Sequence, residues 1–134
     1  MANEFARNIK DAALIVTRAL PTADGTATSS DIDLGENPVA LENVELSVEI
    51  PELSATNLPA ADTLTVTVQS GESAAPTTSA GLVRVITGTG STIAAQDLRF
   101  RLPSNVGRYV NVKLVAAGGT GDMSAKTATV ALCF

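Results

Sequence analysis

The sequence lacks histidine entirely across its 134 residues. Histidine is the usual general base near neutral pH and the commonest metal ligand, so neither a Ser-His-Asp nor a Cys-His site can be built. Carboxylate pairs such as Glu45 and Glu49 lie on the outward side of an alternating segment, whereas a glycosidase needs two carboxyls facing each other across a cleft. The sequence therefore predicts a protein that is not an enzyme and has no catalytic residue.

Large rings and cysteine are also scarce. The chain has no Trp, one Tyr and three Phe, against 21 alanines. Because each aromatic side chain buries about 150–250 Å², we expect a thin aliphatic core and a subunit that gains from burying more surface against a neighbour. The single Cys133 cannot form an internal disulfide, and its apolar setting predicts a small buried hydrophobe.

Long apolar runs and phosphate-binding motifs are missing as well. The run from Ala12 to Val16 has five residues and is soon followed by Arg18, whereas a spanning helix needs about 20 and a secretory signal core about 7–15. We expect no membrane segment, no export signal and intracellular synthesis. The glycine-rich segments 88–90 and 118–121 are not followed by the Lys-Ser/Thr of a phosphate loop, so they are predicted to be turns.

Charge is present but unevenly distributed along a chain of net charge −5. Residues 1–80 carry twelve acidic and three basic side chains, and residues 81–134 carry two acidic and six basic ones. Either acidic and basic strands meet within one domain, or faces of opposite sign meet between subunits. The basic residues are scattered without interleaved aromatic rings, which argues against nucleic-acid binding.

The main pattern in the sequence is the alternation of apolar and polar residues. Residues 44–50, Val-Glu-Leu-Ser-Val-Glu-Ile, alternate without error, as a half-buried strand requires. Glycine, proline and asparagine separate the alternating runs, which favours about eight short antiparallel strands. The fold class is predicted to be all-β, a single-domain β-sandwich or jelly roll. The strands assigned in this way are 14–17, 31–34, 44–50, 63–69, 82–86, 98–102, 109–114 and 127–132.

The N-terminal segment has two interpretations. Residues 3–13 place Phe5, Ile9 and Ala12 on one helical face, but an extended arm explains them equally well. The predicted organisation is an N-terminal arm and first strand over 1–18, followed by the sandwich over 19–134, in one domain overall.

The segment Asp31-Ile32-Asp33-Leu34-Gly35 resembles the start of a calcium loop. An EF-hand loop needs oxygen ligands at positions 1, 3 and 5 and glycine at 6, but Gly35 would fall at position 5. A strand explains all the residues, with Ile32 and Leu34 inward and the aspartates outward. We therefore expect neither a metal site nor a cofactor.

Three segments together resemble a known family. They are SSDIDLG at 29–35, ADTLTVTVQSGES at 61–73 and LPSNVGRYVNVKLVAAGG at 102–119. In this arrangement the chain resembles the capsid cement (decoration) proteins of short-tailed bacteriophages. The resemblance implies a jelly-roll homotrimer made in the bacterial host cytoplasm, which binds the major capsid protein on the outer surface of the virion. It supplies no active-site residue to transfer.

Two other functions remain open. One is a β-sandwich adhesion or receptor-binding module of a phage fibre or surface protein, although the few aromatic rings disfavour sugar binding. The other is a tail or head-completion protein with the same class of sandwich.

Interface residues are predicted in two places. Phe5, Arg7, Ile9 and Lys10 combine apolar anchors with charge on the N-terminal segment, although this segment packing on its own domain is an equal alternative. Arg99 and Arg101 share one strand face and are expected to meet Glu45 and Glu49, within or between subunits.

Overall fold

The computed structural model describes residues 10–35, 44–119 and 121–133, with side chains from Leu14 onward. These residues form strands and loops without a helix, so none of them belongs to a helix able to cross a membrane. The strands are β1 Lys10–Ala19, β2 Thr26–Thr28, β3 Ile32–Asp33, β4 Glu45–Ile50, β5 Thr63–Gly71, β6 Ser79–Thr87, β7 Gln96–Arg101, β8 Tyr109–Ala117 and β9 Thr127–Cys133.

The strands form two antiparallel sheets. The first has the order β1-β9-β4-β7, and the second has the order β2-β8-β5-β6, with β3 also pairing with β8. The chain passes repeatedly from one sheet to the other, and its first and last strands are hydrogen-bonded neighbours. This arrangement is a jelly roll, as the alternating pattern predicted.

Strands β2 and β3 act as one interrupted strand along β8. Thr26 lies opposite Val115, and Ile32 lies opposite Val110. Between them, the Ser29 amide donates to the Val112 carbonyl, and its hydroxyl accepts the Val112 amide. The second sheet therefore has four strand positions, like the first.

The core lies between the sheets and is built from the inward residues of each alternating run. Leu46 and Val48 of the first sheet and Leu64 and Val66 of the second are completely buried. Phe100 is an aromatic ring in this core, whereas the largest fully buried side chains are leucines, isoleucine and methionine. The aliphatic core predicted from the composition is present, and Cys133 is buried with a free thiol.

Most predicted strands differ from the structure by one to three residues at an end, and two differences are larger. β1 begins at Lys10, four residues before the predicted strand, so the helical interpretation of 3–13 fails for its last four residues. The three-residue β2 was not predicted, because Thr-Ala-Thr is too short to show an alternating pattern. Phe5, Arg7 and Ile9 lie outside the described residues.

The glycine-rich segments pack closely at one end of the sandwich. The Gly88 amide donates to the Asp62 carbonyl, and its carbonyl accepts the Ala61 amide. A β-carbon at Gly88 would lie 1.8 Å from the Pro59 carbonyl oxygen, and one at Gly121 would lie 2.3 Å from that of Asn57. These glycines permit close backbone approach, in agreement with their interpretation as loop residues.

Candidate interaction surfaces

Asp33, at the end of β3, forms a two-point ion pair. Its two carboxylate oxygens accept hydrogen bonds from Nε and Nη2 of Arg108 at 2.8 and 2.9 Å. Oδ1 also accepts the Gly35 amide at 2.9 Å, and Gly35 has a positive φ of 84°. The Arg108 hydrogen bonds, followed by that of Gly35, lower the pKa of Asp33 from 3.8 to about 2.

Asp31 binds a different part of the chain. Its Oδ2 accepts the Ala75 amide at 2.6 Å, and its Oδ1 accepts Nδ2 of Asn111 at 3.0 Å. The same Nδ2 donates to the Pro76 carbonyl, so Asp31 and Asn111 fasten the loop after β5 against β8. The two aspartates thus have separate protein partners, and among the residues with described positions no three potential metal ligands cluster.

The outward side of β4 and β7 carries a group of charges that we call the charged strip: Glu45, Glu49, Asp97, Arg99 and Arg101. Nε of Arg99 lies 2.8 Å from Asp97, and its Nη1 lies 3.7 Å from Glu45. In the strand register, Arg101 is opposite Glu45, and Asp97 is opposite Glu49. The predicted meeting of Arg99 with Glu45 therefore occurs within one chain.

Asp97 was missed by the sequence reasoning, although it lies two residues before Arg99 on the same strand face. It accepts a hydrogen bond from the buried Ser47 hydroxyl as well as from Arg99. Asp97 and Glu49 also line a shallow depression of about 440 Å³. The interface role of the charged strip stays a prediction.

Lys10 begins β1 opposite Cys133, and its side chain lies outside the described ones.

The outward side of the other sheet is different in chemistry. We call its β5–β6 part the Val/Thr face: Thr63, Thr65, Thr67, Val83 and Val85. Val85 lies opposite Thr65, and Val83 lies opposite Thr67. Val83 is 47% exposed and Val85 is 58% exposed, whereas most large hydrophobic side chains with described positions are buried or half-buried. All five side chains of the face are thus uncharged and β-branched, and Lys113 of β8 borders the face opposite Thr67.

An open groove separates the edge strands β6 and β7, which belong to different sheets. Its volume is about 370 Å³, and it is lined by Gly81, Leu82, Val83 and Arg84 of β6 and by Arg99, Phe100 and Arg101 of β7. We call it the arginine groove. Its lining contains three guanidinium groups and no carboxylate.

Comparisons with known proteins yield structural likenesses at low sequence identity. No protein-family model matches the chain, and no curated protein matches its sequence. A chain of the Cowpea mosaic virus top component, the naturally occurring empty particle, is 10% identical, with 95% of this chain and 83% of that chain covered and a TM-score of 0.47. A chain of Broad bean stain virus is 12% identical, with 93% and 85% covered and a TM-score of 0.46. A structure titled "CBM4 structure and function" is 11% identical, with 97% and 79% covered and a TM-score of 0.37.

Proposed function

We propose that this chain is a structural virion protein that binds the outside of an icosahedral phage capsid and cements contacts between major capsid protein subunits. The observation that carries the proposal is the Val/Thr face, with Val83 and Val85 about half exposed on successive outward positions of β6. Single exposed hydrophobic residues are common, whereas contiguous exposed apolar patches mark protein-binding surfaces.

The physical demands on a cement protein match this surface. Such a protein clamps neighbouring shell subunits without distorting them, so a flat rigid face serves it better than a deep pocket. β-Branched side chains have few rotamers, so Thr65, Thr67 and their valine neighbours lose little entropy on docking. The net charge of −5 suits an outer surface better than one that contacts packaged DNA.

Binding of several identical copies strengthens the contact between the protein and the shell. As a homotrimer, which the family resemblance implies, the protein presents three equivalent faces to a symmetric shell. Weak contacts made together gain from effective concentration. The N-terminal segment, with Phe5, Arg7, Ile9 and Lys10, would extend to a neighbouring subunit and contact it.

The test uses shells assembled from the major capsid protein of the virus that encodes the chain. We expect the purified protein to co-sediment with these shells in a fixed ratio and to raise their temperature of disruption. Val83→Asp combined with Val85→Asp is expected to weaken binding about tenfold or more, because docking would bury unpaired carboxylates.

A matched control substitutes Ile15, which is 37% exposed on the outward side of the opposite sheet. Ile15→Asp adds a charge of the same sign to an exposed strand position and is expected to leave shell binding unchanged. A folded protein with no affinity for the shells would refute the cementing role. Equal loss from both substitutions would refute the assignment to the Val/Thr face.

A further inference from the structure

Lys113 is the one charged residue on the outward side of strands β2, β5, β6 and β8, which are described throughout. It lies opposite Thr67 of β5 and opposite Thr28 of β2. Arg84, the other charged residue on these four strands, lies opposite the completely buried Val66 and therefore belongs to the inward side. The outward side thus combines uncharged residues with a single ammonium group.

Lys113 has no ionic partner in the part of the chain that the structure describes. The residue is half-buried, and no described residue forms a hydrogen bond or an ion pair with it. The carboxylate of Asp31 lies near Asn111, two residues earlier on β8, and already accepts hydrogen bonds from the Ala75 amide and from Asn111. The ammonium group of Lys113 is therefore left to the solvent.

Lys113 lies close enough to the exposed valines to be covered together with them. Val83 is opposite Thr67, and Thr67 is opposite Lys113, so two strand spacings, roughly 10 Å, separate the valine from the lysine. A specific protein interface of ordinary size covers about 800 Å² on each partner, which corresponds to a patch roughly 30 Å across. Strand β8 is an interior strand, between β2 and β5. A partner docked on Val83 and Val85 therefore encloses Lys113 as well.

Removing an unpaired ammonium group from water costs free energy that apolar contacts do not return, unless the partner supplies an opposite charge. We infer that the surface of the major capsid protein that covers the Val/Thr face presents a carboxylate to Lys113, beside an apolar area that packs on Val83 and Val85. This inference rests on the proposed function, which supplies the partner. It adds the chemistry of the partner's surface, an apolar patch with an Asp or Glu side chain at its border.

A second copy of this chain is a poorer occupant of the face than such a partner. Two copies packed face to face would enclose two Lys113 ammonium groups, and the outward side of β2, β5, β6 and β8 supplies no carboxylate to pair with them. Two unpaired charges would then be removed from water together. Charge complementarity thus selects a different surface, one that carries an acidic group.

Protection against self-association is the competing explanation of Lys113. A lysine within an exposed apolar patch discourages the packing of one copy on another, and it needs no partner for that role. In that case Lys113→Met would cause the protein to self-associate and would leave its affinity for shells unchanged. The two explanations therefore differ in what the loss of the charge does to shell binding.

The first experiment measures the affinity of the intact protein for shells of the major capsid protein by co-sedimentation. Lys113→Met is expected to weaken binding several-fold, because the carboxylate of the shell loses its partner, and Lys113→Glu about tenfold or more, because two carboxylates then meet. Lys126→Glu is the matched control. Lys126 is a half-buried cation on the loop before β9, without a described ionic partner, and its substitution changes the net charge by the same amount. We expect Lys126→Glu to leave the affinity unchanged.

The second experiment changes the shell. Each exposed Asp and Glu of the major capsid protein is replaced in turn by lysine, and one replacement is expected to weaken binding of the unsubstituted protein and to restore binding of Lys113→Glu. Absence of restoration by every replacement would overturn the inference. So would self-association of Lys113→Met, measured by light scattering, together with an unchanged affinity for shells.

The outcomes separate this inference from the proposed function. If the unsubstituted protein binds shells and Lys113→Glu binds them equally well, the carboxylate partner is refuted and the cementing role stands. If the folded, unsubstituted protein does not bind shells at all, the cementing role is refuted and the inference is refuted with it.

Discussion

At the scale of single residues, Asp33 and Arg108 join two distant parts of the chain. Asp33 closes the short strand β3, and Arg108 immediately precedes β8, which pairs with it. The Cζ of Arg108 also lies 5.2 Å from the centre of the Tyr109 ring, within the range of a cation–π contact. The ion pair therefore positions the start of β8 against the interrupted strand.

This pair predicts a specific acid titration. Because the folded-state pKa of Asp33 is lowered to about 2 from an ordinary 3.8, ionised Asp33 favours the folded state at pH values above about 4. That contribution is lost as the pH falls from about 4 to about 2. An NMR titration of the Asp33 side-chain carboxyl is expected to show a midpoint near 2.

Arg108→Met is expected to return that midpoint toward the ordinary value, because it removes the largest cause of the shift. Lys126→Met, which removes a cation on the loop before β9, is the matched control and is expected to leave the midpoint unchanged. If Arg108→Met left the midpoint unchanged, the assignment of the lowered pKa of Asp33 to Arg108 would be contradicted.

Gly88 provides a second prediction for a single residue. In Gly88→Ala the added carbon would meet the carbonyl oxygens of Leu58 and Pro59 at 2.6 and 1.8 Å, so the backbone must move. Overpacking of this kind costs about 1–3 kcal/mol or more. Chemical denaturation is expected to show this loss in the free energy of unfolding.

Gly90→Ala is the comparison, because among the described residues the added carbon would have the Ala60 side chain as its one neighbour within 4 Å, at 3.6 Å. Its φ of 79° still imposes a cost of about 1–2 kcal/mol on alanine. We expect Gly88→Ala to be the more destabilising of the two. If Gly90→Ala were the more destabilising substitution, the backbone after Leu58 would be able to move away from residue 88 at little cost in free energy.

At the scale of elements, β4 is an interior strand of its sheet, between β9 and β7. Leu46 on this strand is completely buried. Leu46→Ala is expected to lower the free energy of unfolding by about 2–5 kcal/mol, through lost apolar burial and the cavity left behind. Val85→Ala, on the exposed side of the edge strand β6, should change it by about 0.5 kcal/mol or less. Similar losses at both positions would contradict the distinction between core and face.

The elements that the sequence predicted are those with several alternating residues. Runs such as 44–50 and 63–69 reveal their inward side directly, because the core accepts only alternate residues. β2 is held by hydrogen bonds to β8, a strand that is distant from it in sequence. Its three residues are too few to show an alternating pattern. The exposed side of β6 was equally hidden, since the charge of Arg84 suggests that its neighbours Val83 and Val85 face the core, whereas the structure places these two valines outward.

At the scale of the whole molecule, the pairing of strands depends on contacts distant in sequence. β1 pairs with β9, with Val16 opposite Val130, although more than a hundred residues separate them. Local alternation predicted two layers of strands but not which strands become neighbours. The same limit applies to the surfaces, because the charged strip and the arginine groove each combine strands that only the fold brings together.

The uneven charge of the two halves leads to the last prediction. Glu45 with Arg99 and Asp33 with Arg108 join the acidic half to the basic half within one chain. Contacts between subunits then need not depend on charge, so the proposed homotrimer, with three times the 13.6 kDa chain mass, is expected to persist when salt rises. From about 0.1 M to about 1 M salt the Debye length falls from about 10 to about 3 Å, which would weaken exposed pairs. Light scattering across this range should give a constant mass, and dissociation into single chains at high salt would mean that oppositely charged faces hold the subunits together.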